Sequence, residues 1–446
     1  MSSDALYRYN LDGEFPLAVG GDGVYLVDAN GRRYLDASSG AAVSCLGHSN
    51  ARVREAIKRQ VDALAFAHTR FFTNEAMERL ATDLVSDAPA GLTKAFFTCG
   101  GSEAIEAALK IARQYFVEIG EPQRRHVIGR RQGYHGTTAG ALSVTGNAAR
   151  RAAFDPLLLP TTHHIAPCYA YRDRRADETE MEYGQRVADE LEAEIVRLGP
   201  DTVAAFVAET VVGSTLGAVP AVPGYFRRVR EICDRYGVLL ILDEVMCGMG
   251  RTGTRYACEQ EGIGPDLLAL GKGLSAGYTP LGALLVADRV HRAIAAGSDA
   301  VMHSHTYTGH ALSCAAALAV QHEVRERRLL ENVNAKGELL RAALSEQFGN
   351  HPHVGDIRGR GLFIALELVA DRSTKAPFDP SLRLSSNILQ RGLEQGLVCY
   401  PMGGVIDGAR GENVLLAPPF IIEESQVFEL VEKLGRTLER ALHPSP

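Results

Sequence analysis

The chain has 446 residues, 46% of them hydrophobic and 23% charged, which is ordinary globular composition with room for one large α/β domain and a smaller one. A formal net charge of −7 excludes the concentrated basic face that a nucleic-acid partner requires, and runs such as Arg227-Arg228 are short enough to be a solvated helix face. The opening MSSDALYRYN lacks a basic-then-apolar leader, and no apolar run approaches the ~18 to 20 residues of a membrane span, so the chain reads as soluble, cytoplasmic and without a membrane partner.

Residues 20–36, GGDGVYLVDANGRRYLD, alternate apolar and polar positions about the turn Asp28-Ala29-Asn30-Gly31 and predict a β-hairpin. From about residue 50 the pattern becomes helix, strand, helix: ARVREAIKRQVDAL is amphipathic, residues 94–98 form a short strand, and GSEAIEAALKIARQYF is a strong helix. Further strands are expected at 126–129, 203–210, 238–242, 267–270 and 283–286. Strands alternating with helices imply an α/β fold built on a mainly parallel sheet covered on both faces. Residues 169–199 are charged and helix-prone in their second half and read as an insertion crossing the surface. After Ser313, AAALAVQHEVRERRLLENV begins a long helix that leaves the large domain, and the strand GLFIALELVA and a final amphipathic helix over 424–442 belong to a second, α+β domain. The division expected is 1–50 as an N-terminal segment of the small domain, 51–315 as the large domain and 316–446 as the rest of the small one.

Eight cysteines are scattered without CxxC pairs in a chain too large to need staples, so free, mostly buried thiols are expected, with no metal site.

Lys272 carries the chemistry. An apolar strand, LLAL, delivers it into the glycine-flanked turn GKG, and twenty-nine residues earlier another apolar strand ends in Asp243-Glu244. In an open α/β sheet such strand ends are where ligands bind. Two other glycine patterns are weaker. GMGRTG, residues 248–253, has the spacing of a dinucleotide loop, but five residues separate it from its strand; Lys272 is followed by glycine where a P-loop requires Ser or Thr. The segment Cys99-Gly100-Gly101-Ser102-Glu103 is better placed, joining a strand directly to a strong helix whose unpaired N–H groups and dipole suit a phosphate. Ser102 as a plain helix cap is compatible with that role. A phosphate cradle, an acid and a lysine in this order match what pyridoxal 5′-phosphate demands. The lysine forms an imine with the aldehyde, and the acid keeps the pyridine nitrogen protonated.

These motifs, together with GVYLVDANGRRYLDASSG, Leu46-Gly47-His48, Gly133-Tyr134-His135-Gly136, ILDEVMCGMGRTG and HTYTGHALSCAAALA, resemble the class III, or ω-, aminotransferases over nearly the whole chain. The resemblance implies a fold-type I architecture: a mainly parallel seven-stranded sheet flanked by helices, plus a smaller α+β domain from the N- and C-terminal segments. It implies Lys272 as the imine lysine, Asp243 as the partner of the pyridine nitrogen, and Gly101 and Ser102 at the phosphate. Tyr134 and Val245 then lie against the two ring faces. Glu209 sits beside the cofactor, and His135 belongs to the same motif, although a satisfied core histidine is the ordinary reading of it and of His48. Thr306, with Thr308 as its neighbouring alternative, reaches the phosphate of a second subunit, which implies a homodimer with shared sites.

Departures from the family pattern bear on substrate. Thr210 stands where proline is usual, and Met246 stands where a glutamine often donates to the ring's phenolic oxygen. The segment DEVMCGMGRTG instead resembles the branch acting on ω-amines, with pyruvate as a plausible acceptor. Ala42 occupies a position where some of that branch carry tryptophan, which widens the pocket. Arg410, ahead of the paired prolines, is the candidate for the substrate carboxylate, weighed against a solvated loop arginine. The reaction implied is transfer of an amino group from an amine to a keto acid in two halves; a mutase or racemase of the same family is the alternative.

Overall fold

The structure is a computed structural model that describes Tyr7 and residues 15–442. The leader reading of residues 1–10 therefore lies outside the described residues, apart from Tyr7.

Its centre is a seven-stranded sheet in the spatial order Leu92–Thr98, Gly282–Ala287, Leu267–Leu270, Leu239–Asp243, Val203–Glu209, His126–Arg130 and Thr162–Ile165. Only Gly282–Ala287 runs against its neighbours; the other adjacent pairs are parallel. The inner strands read as continuous apolar runs, VAAFVAE, LLILD and LLAL, and every residue in them is buried, as sheets covered on both faces require. Thr162–Ile165 is the strand that periodicity does not reveal, because THHI is polar and lies at the sheet edge.

Residues 169–199 are more than a surface crossing. Helix Glu180–Leu198, started by a capping box of Thr179 and Glu182, buries Tyr183, Val187, Leu191 and Ile195 in the main core and packs on helix Tyr225–Tyr236. Only its outer face is charged.

The expected long helix after Ser313 is two helices, Ala311–Glu326 and Leu329–Phe348, broken where Arg328 takes a left-handed conformation, φ +53°. The break lets the first helix feed both cores. Its Cys314, Ala317 and Leu318 join the sheet core, while Ala316, Val320 and Val324 join a second core. Residue 316 thus lies inside a helix shared by the two bodies. The second core gathers the antiparallel sheet Val354–Arg360, Phe363–Leu368, Glu412–Leu416 and Tyr400–Gly403, and the terminal helix Glu424–Leu442. It also takes in Val24, Leu35 and Cys45, and strand Arg33–Asp36 pairs parallel with Leu397–Val398. The N-terminal hairpin, Tyr25–Asp28 with Arg33–Asp36, is therefore packed with the C-terminal segment.

Arg251 binds these bodies together. It is fully buried, donates from Nη1 to the carbonyls of Leu362 and Pro418 at 3.1 and 2.6 Å, and lies over the Phe420 ring. GMGRTG is a structural corner built around that side chain rather than a nucleotide loop. All eight cysteines are free, and among the described residues no helix is long and apolar enough to cross a membrane.

Candidate active site

Glu209 and Asp243 end neighbouring parallel strands and are register partners. Asp243 is also in register with Ala269 on the next strand, which ends one residue before Gly271-Lys272. Parallel pairing thus brings an acid, a second acid and a lysine to the C-terminal edge of three adjacent strands. Lys272 has φ +43°, a left-handed conformation that a side-chain-bearing residue adopts at a cost and that clusters at functional sites. Burial of its amine pushes its pKa down from the usual lysine range; Asp243 and Glu209 oppose that shift.

These groups line one cavity of about 290 Å³ with Gly101, Ser102, Tyr134, His135, Gly136, Val245 and Met246. Asp243, 5% exposed, receives Nδ1 of the buried His135 at 2.9 Å and the Val245 N–H at 3.0 Å. Glu209 accepts the N–H of Tyr134 at 3.1 Å and of Gly213 at 2.7 Å; burial raises its pKa. Thr210 donates its hydroxyl to Glu244 Oε1 at 3.0 Å, apart from the two backbone N–H groups that hold Glu209.

One end of the cavity lies where helix Gly101–Glu118 begins. A Cβ at Gly101 would fall 2.6 Å from Val245 Cγ1, and one at Gly136 would fall 2.5 Å from Ser102 Oγ, so both glycines are required by close approach. Ser102 Oγ meanwhile accepts the Thr137 N–H at 3.1 Å.

The aminotransferase class-III family model matches residues 13–438. The chain belongs to the class-III aminotransferases. This aminotransferase is 46% identical to an aminotransferase of Schizosaccharomyces pombe over 97% of its own length and 94% of that protein's. It is 36% identical to the diaminobutyrate–2-oxoglutarate transaminase of Halomonas elongata, covering 95% and 90% of the two chains. Among solved structures, the ω-transaminase of Pseudomonas jessenii in complex with PMP superimposes with a TM-score of 0.92 at 34% identity, covering 98% of this chain and 96% of that one. The fold is that of the fold-type I enzymes, and the activity class is pyridoxal-phosphate-dependent amino transfer.

The predicted residues are distributed as follows in this aminotransferase. Lys272, Asp243, Gly101, Ser102, Tyr134, His135, Glu209 and Val245 are brought together. Ala42 is not in the cavity wall. It is 3% exposed and packs with Val211, Ala218 and Cys247, while Ala41 faces the cavity. Ser39, Gly40 and Ala42 all have positive φ, and along that turn it is Ala41 that meets the cavity. Arg410 also stays out. It is 58% exposed and paired with Asp407 at 2.7 Å within its own turn. Thr306 is exposed in the turn 306–309 and does not line this chain's cavity.

Sequence reasoning missed Arg150, Tyr400 and Ser214, which complete the lining. Asn147, whose side chain caps the short helix Ala148–Arg151, marks the start of that helix, but no local pattern shows that Arg150 folds over the Tyr134 ring at 4.7 Å.

Proposed function

We propose that this aminotransferase binds pyridoxal 5′-phosphate in the cavity at Lys272 and passes an amino group from an ω-amine to a small keto acid such as pyruvate. The observation that carries this reading is the meeting of Lys272, Asp243 and the Gly101-Ser102 helix start in one cavity at the sheet's C-terminal edge. The donor set fits the cofactor. Helix N–H groups and the Ser102 hydroxyl suit its phosphate, and a buried carboxylate backed by His135 suits a protonated pyridine nitrogen. When bound, the cofactor supplies an aldehyde that condenses with amines and a ring that accepts electrons.

The rest is done by the chain's own groups. Asp243 would hold the proton on the ring nitrogen, with His135 keeping that carboxylate oriented. Tyr134 and Val245 would confine the ring, and Glu209 anchors the Tyr134 backbone. The Lys272 amine, its pKa lowered by burial, is poised to take the proton from substrate Cα as a neutral base. Met246 and Ala41 contribute apolar lining to the cavity.

A homodimer belongs to this reading. Thr306 is exposed beside the exposed apolar side chains Met302 and Tyr307, a surface suited to a second copy whose phosphate Thr306 would reach. Free cysteines, seven of the eight buried, fit a reducing compartment, the cytoplasm.

Purified protein should show a visible absorption band that borohydride abolishes, and Lys272→Ala should lose transamination while retaining phosphate-dependent cofactor binding. Near-normal turnover in that variant would refute the mechanism. A panel of amines against pyruvate and 2-oxoglutarate tests the substrate class; strong preference for 2-oxoglutarate would overturn the ω-amine/pyruvate reading.

A further inference from the structure

The cavity holds a cation for which the reaction at Lys272 gives no use. Arg150 lines it with its guanidinium 4.7 Å from the Tyr134 ring centre, and no ion pair with a carboxylate is made by it among the described residues. The two cavity carboxylates are otherwise engaged. Asp243 is bonded by His135 and the Val245 N–H, and Glu209 by the N–H groups of Tyr134 and Gly213. Nearby arginines are compensated: Arg151 by Asp155, Arg172 by Glu367 and Arg410 by Asp407. A half-buried guanidinium without an anion, facing a cavity that must admit one, is an open fork of donors.

Its placement is fixed from behind. The Arg150 N–H is capped by Asn147 Oδ1 at 3.1 Å; Asn147 Nδ2 donates to Gln132 Oε1 at 2.9 Å. Arg151 donates to the carbonyls of Ser143 and Thr145, both at 3.2 Å. Gly408, φ +89°, lets the 404–408 loop press on this short helix, since a Cβ there would lie 3.0 Å from the Ala149 nitrogen. The helix is therefore held between the large domain and a loop of the small one, a rigid mount for a side chain that must aim. Arg150 is also close enough to the reacting amine to contribute to lowering the Lys272 pKa.

We infer that Arg150, rather than Arg410, receives the carboxylate of the keto-acid acceptor and thereby selects α-keto acids over neutral carbonyl compounds. This rests on the proposed transaminase reading of the same cavity. The guanidinium lies 4.7 Å over the Tyr134 ring and makes no ion pair among the described residues, so its N–H donors are open to a two-pronged carboxylate contact, with the substrate carbonyl toward Lys272.

The test uses cofactor-loaded wild type, Arg150→Ala, Arg150→Gln, Arg150→Lys and Arg410→Ala. Calorimetric titration with propionate, which carries the carboxylate and cannot react, is paired with propionamide; kcat/KM is measured with pyruvate and with propanal, and cofactor affinity by titration. The Ala and Gln variants should bind propionate roughly 10- to 100-fold more weakly and lose a similar factor in kcat/KM for pyruvate. Propionamide binding, turnover of propanal and cofactor affinity should stay within about threefold of wild type, Lys should fall between, and Arg410→Ala should match wild type. Wild-type propionate affinity in Arg150→Gln, equal losses on pyruvate and propanal, or a loss confined to Arg410→Ala would overturn the assignment. So would loss of cofactor affinity in the Arg150 variants, which would place the arginine at the phosphate. A wild type that binds propionate through Arg150 yet transaminates nothing would overturn the proposed function and the acceptor role together, whereas normal transamination with propionate affinity unchanged in Arg150→Gln would overturn the assignment of Arg150 alone.

Discussion

Gly136→Ala isolates the close approach of Gly136 to Ser102, at the end of the cavity proposed to hold the cofactor's phosphate. Gly136 has φ +131°, and an added Cβ would lie 2.5 Å from Ser102 Oγ and 2.9 Å from Ser102 Cα, so backbone as well as side chain must move. The conformational strain is worth about 1–2 kcal/mol and the overlap about 1–3 kcal/mol, giving roughly 2–5 kcal/mol in all. An unfolding entropy of about 2.1 cal/mol/K per residue over the chain makes 1 kcal/mol equal to about 1 °C, so the midpoint should fall by roughly 2–5 °C. Gly262→Ala is the matched control: φ is +65° but nothing lies within 4 Å, leaving only the strain, or about 1–2 °C. Because Ser102 is what moves, cofactor affinity should fall about tenfold in the first variant and not in the second. Calorimetric melting and cofactor titration measure both. If Gly136→Ala melted within a degree of Gly262→Ala and held cofactor as well as wild type, the close-approach argument would be wrong.

Other outcomes follow from single contacts. Arg251→Ala orphans the carbonyls of Leu362 and Pro418 and empties a buried volume, so stability should drop by about 3–5 kcal/mol in denaturant unfolding; a loss under about 1 kcal/mol would contradict its joining role. Burial beside Arg151 pushes His164 down to about 4, so between the usual histidine value of 6.5 and 4 the unfolded chain binds a proton that the folded chain refuses. Stability should therefore fall as pH drops through that window, and His164→Gln should flatten the slope of unfolding free energy against pH. Burial pushes Glu244 up to about 7 from an ordinary 4.5, so its contribution is present at pH 4.5 and lost as pH rises through 7. Thr210→Val removes a hydroxyl that favours the ionised form and should cost about 1 kcal/mol, with a larger deficit at pH 8 than at pH 5; equal deficits would refute the coupling.

The parts of the site legible in the sequence are those whose neighbours in space are also neighbours in the chain or are fixed by strand pairing. Lys272 follows its apolar strand directly, Asp243 ends the adjacent one, and Ser102 begins a helix at a strand end. Parallel pairing needs no further information to put such residues on one edge. The tyrosine and histidine of the 133–136 motif are legible only by resemblance, since a tyrosine beside a histidine has no chemical signature of its own.

What only the tertiary structure decided involves approach between distant segments or a departure from regular backbone. Arg150 reaches the cavity because Asn147, Gln132 and the 404–408 loop hold a four-residue helix in place, and none of those contacts is periodic. Ala41 rather than Ala42 meets the cavity because the chain there passes through left-handed Ser39, Gly40 and Ala42, a local backbone path that correspondence of positions with the family does not specify. Arg410 leaves the site because Asp407, three residues away, offers a local partner at 2.7 Å. The expected single helix after Ser313 breaks at Arg328, whose left-handed φ of +53° ends the first helix, which spans both cores, and starts a second whose buried apolar side chains all lie in the second core. Local pattern sets which residues end a strand or face a core. Which charged side chain meets which cavity depends on packing free energies summed over segments hundreds of residues apart, and only the folded chain adds them.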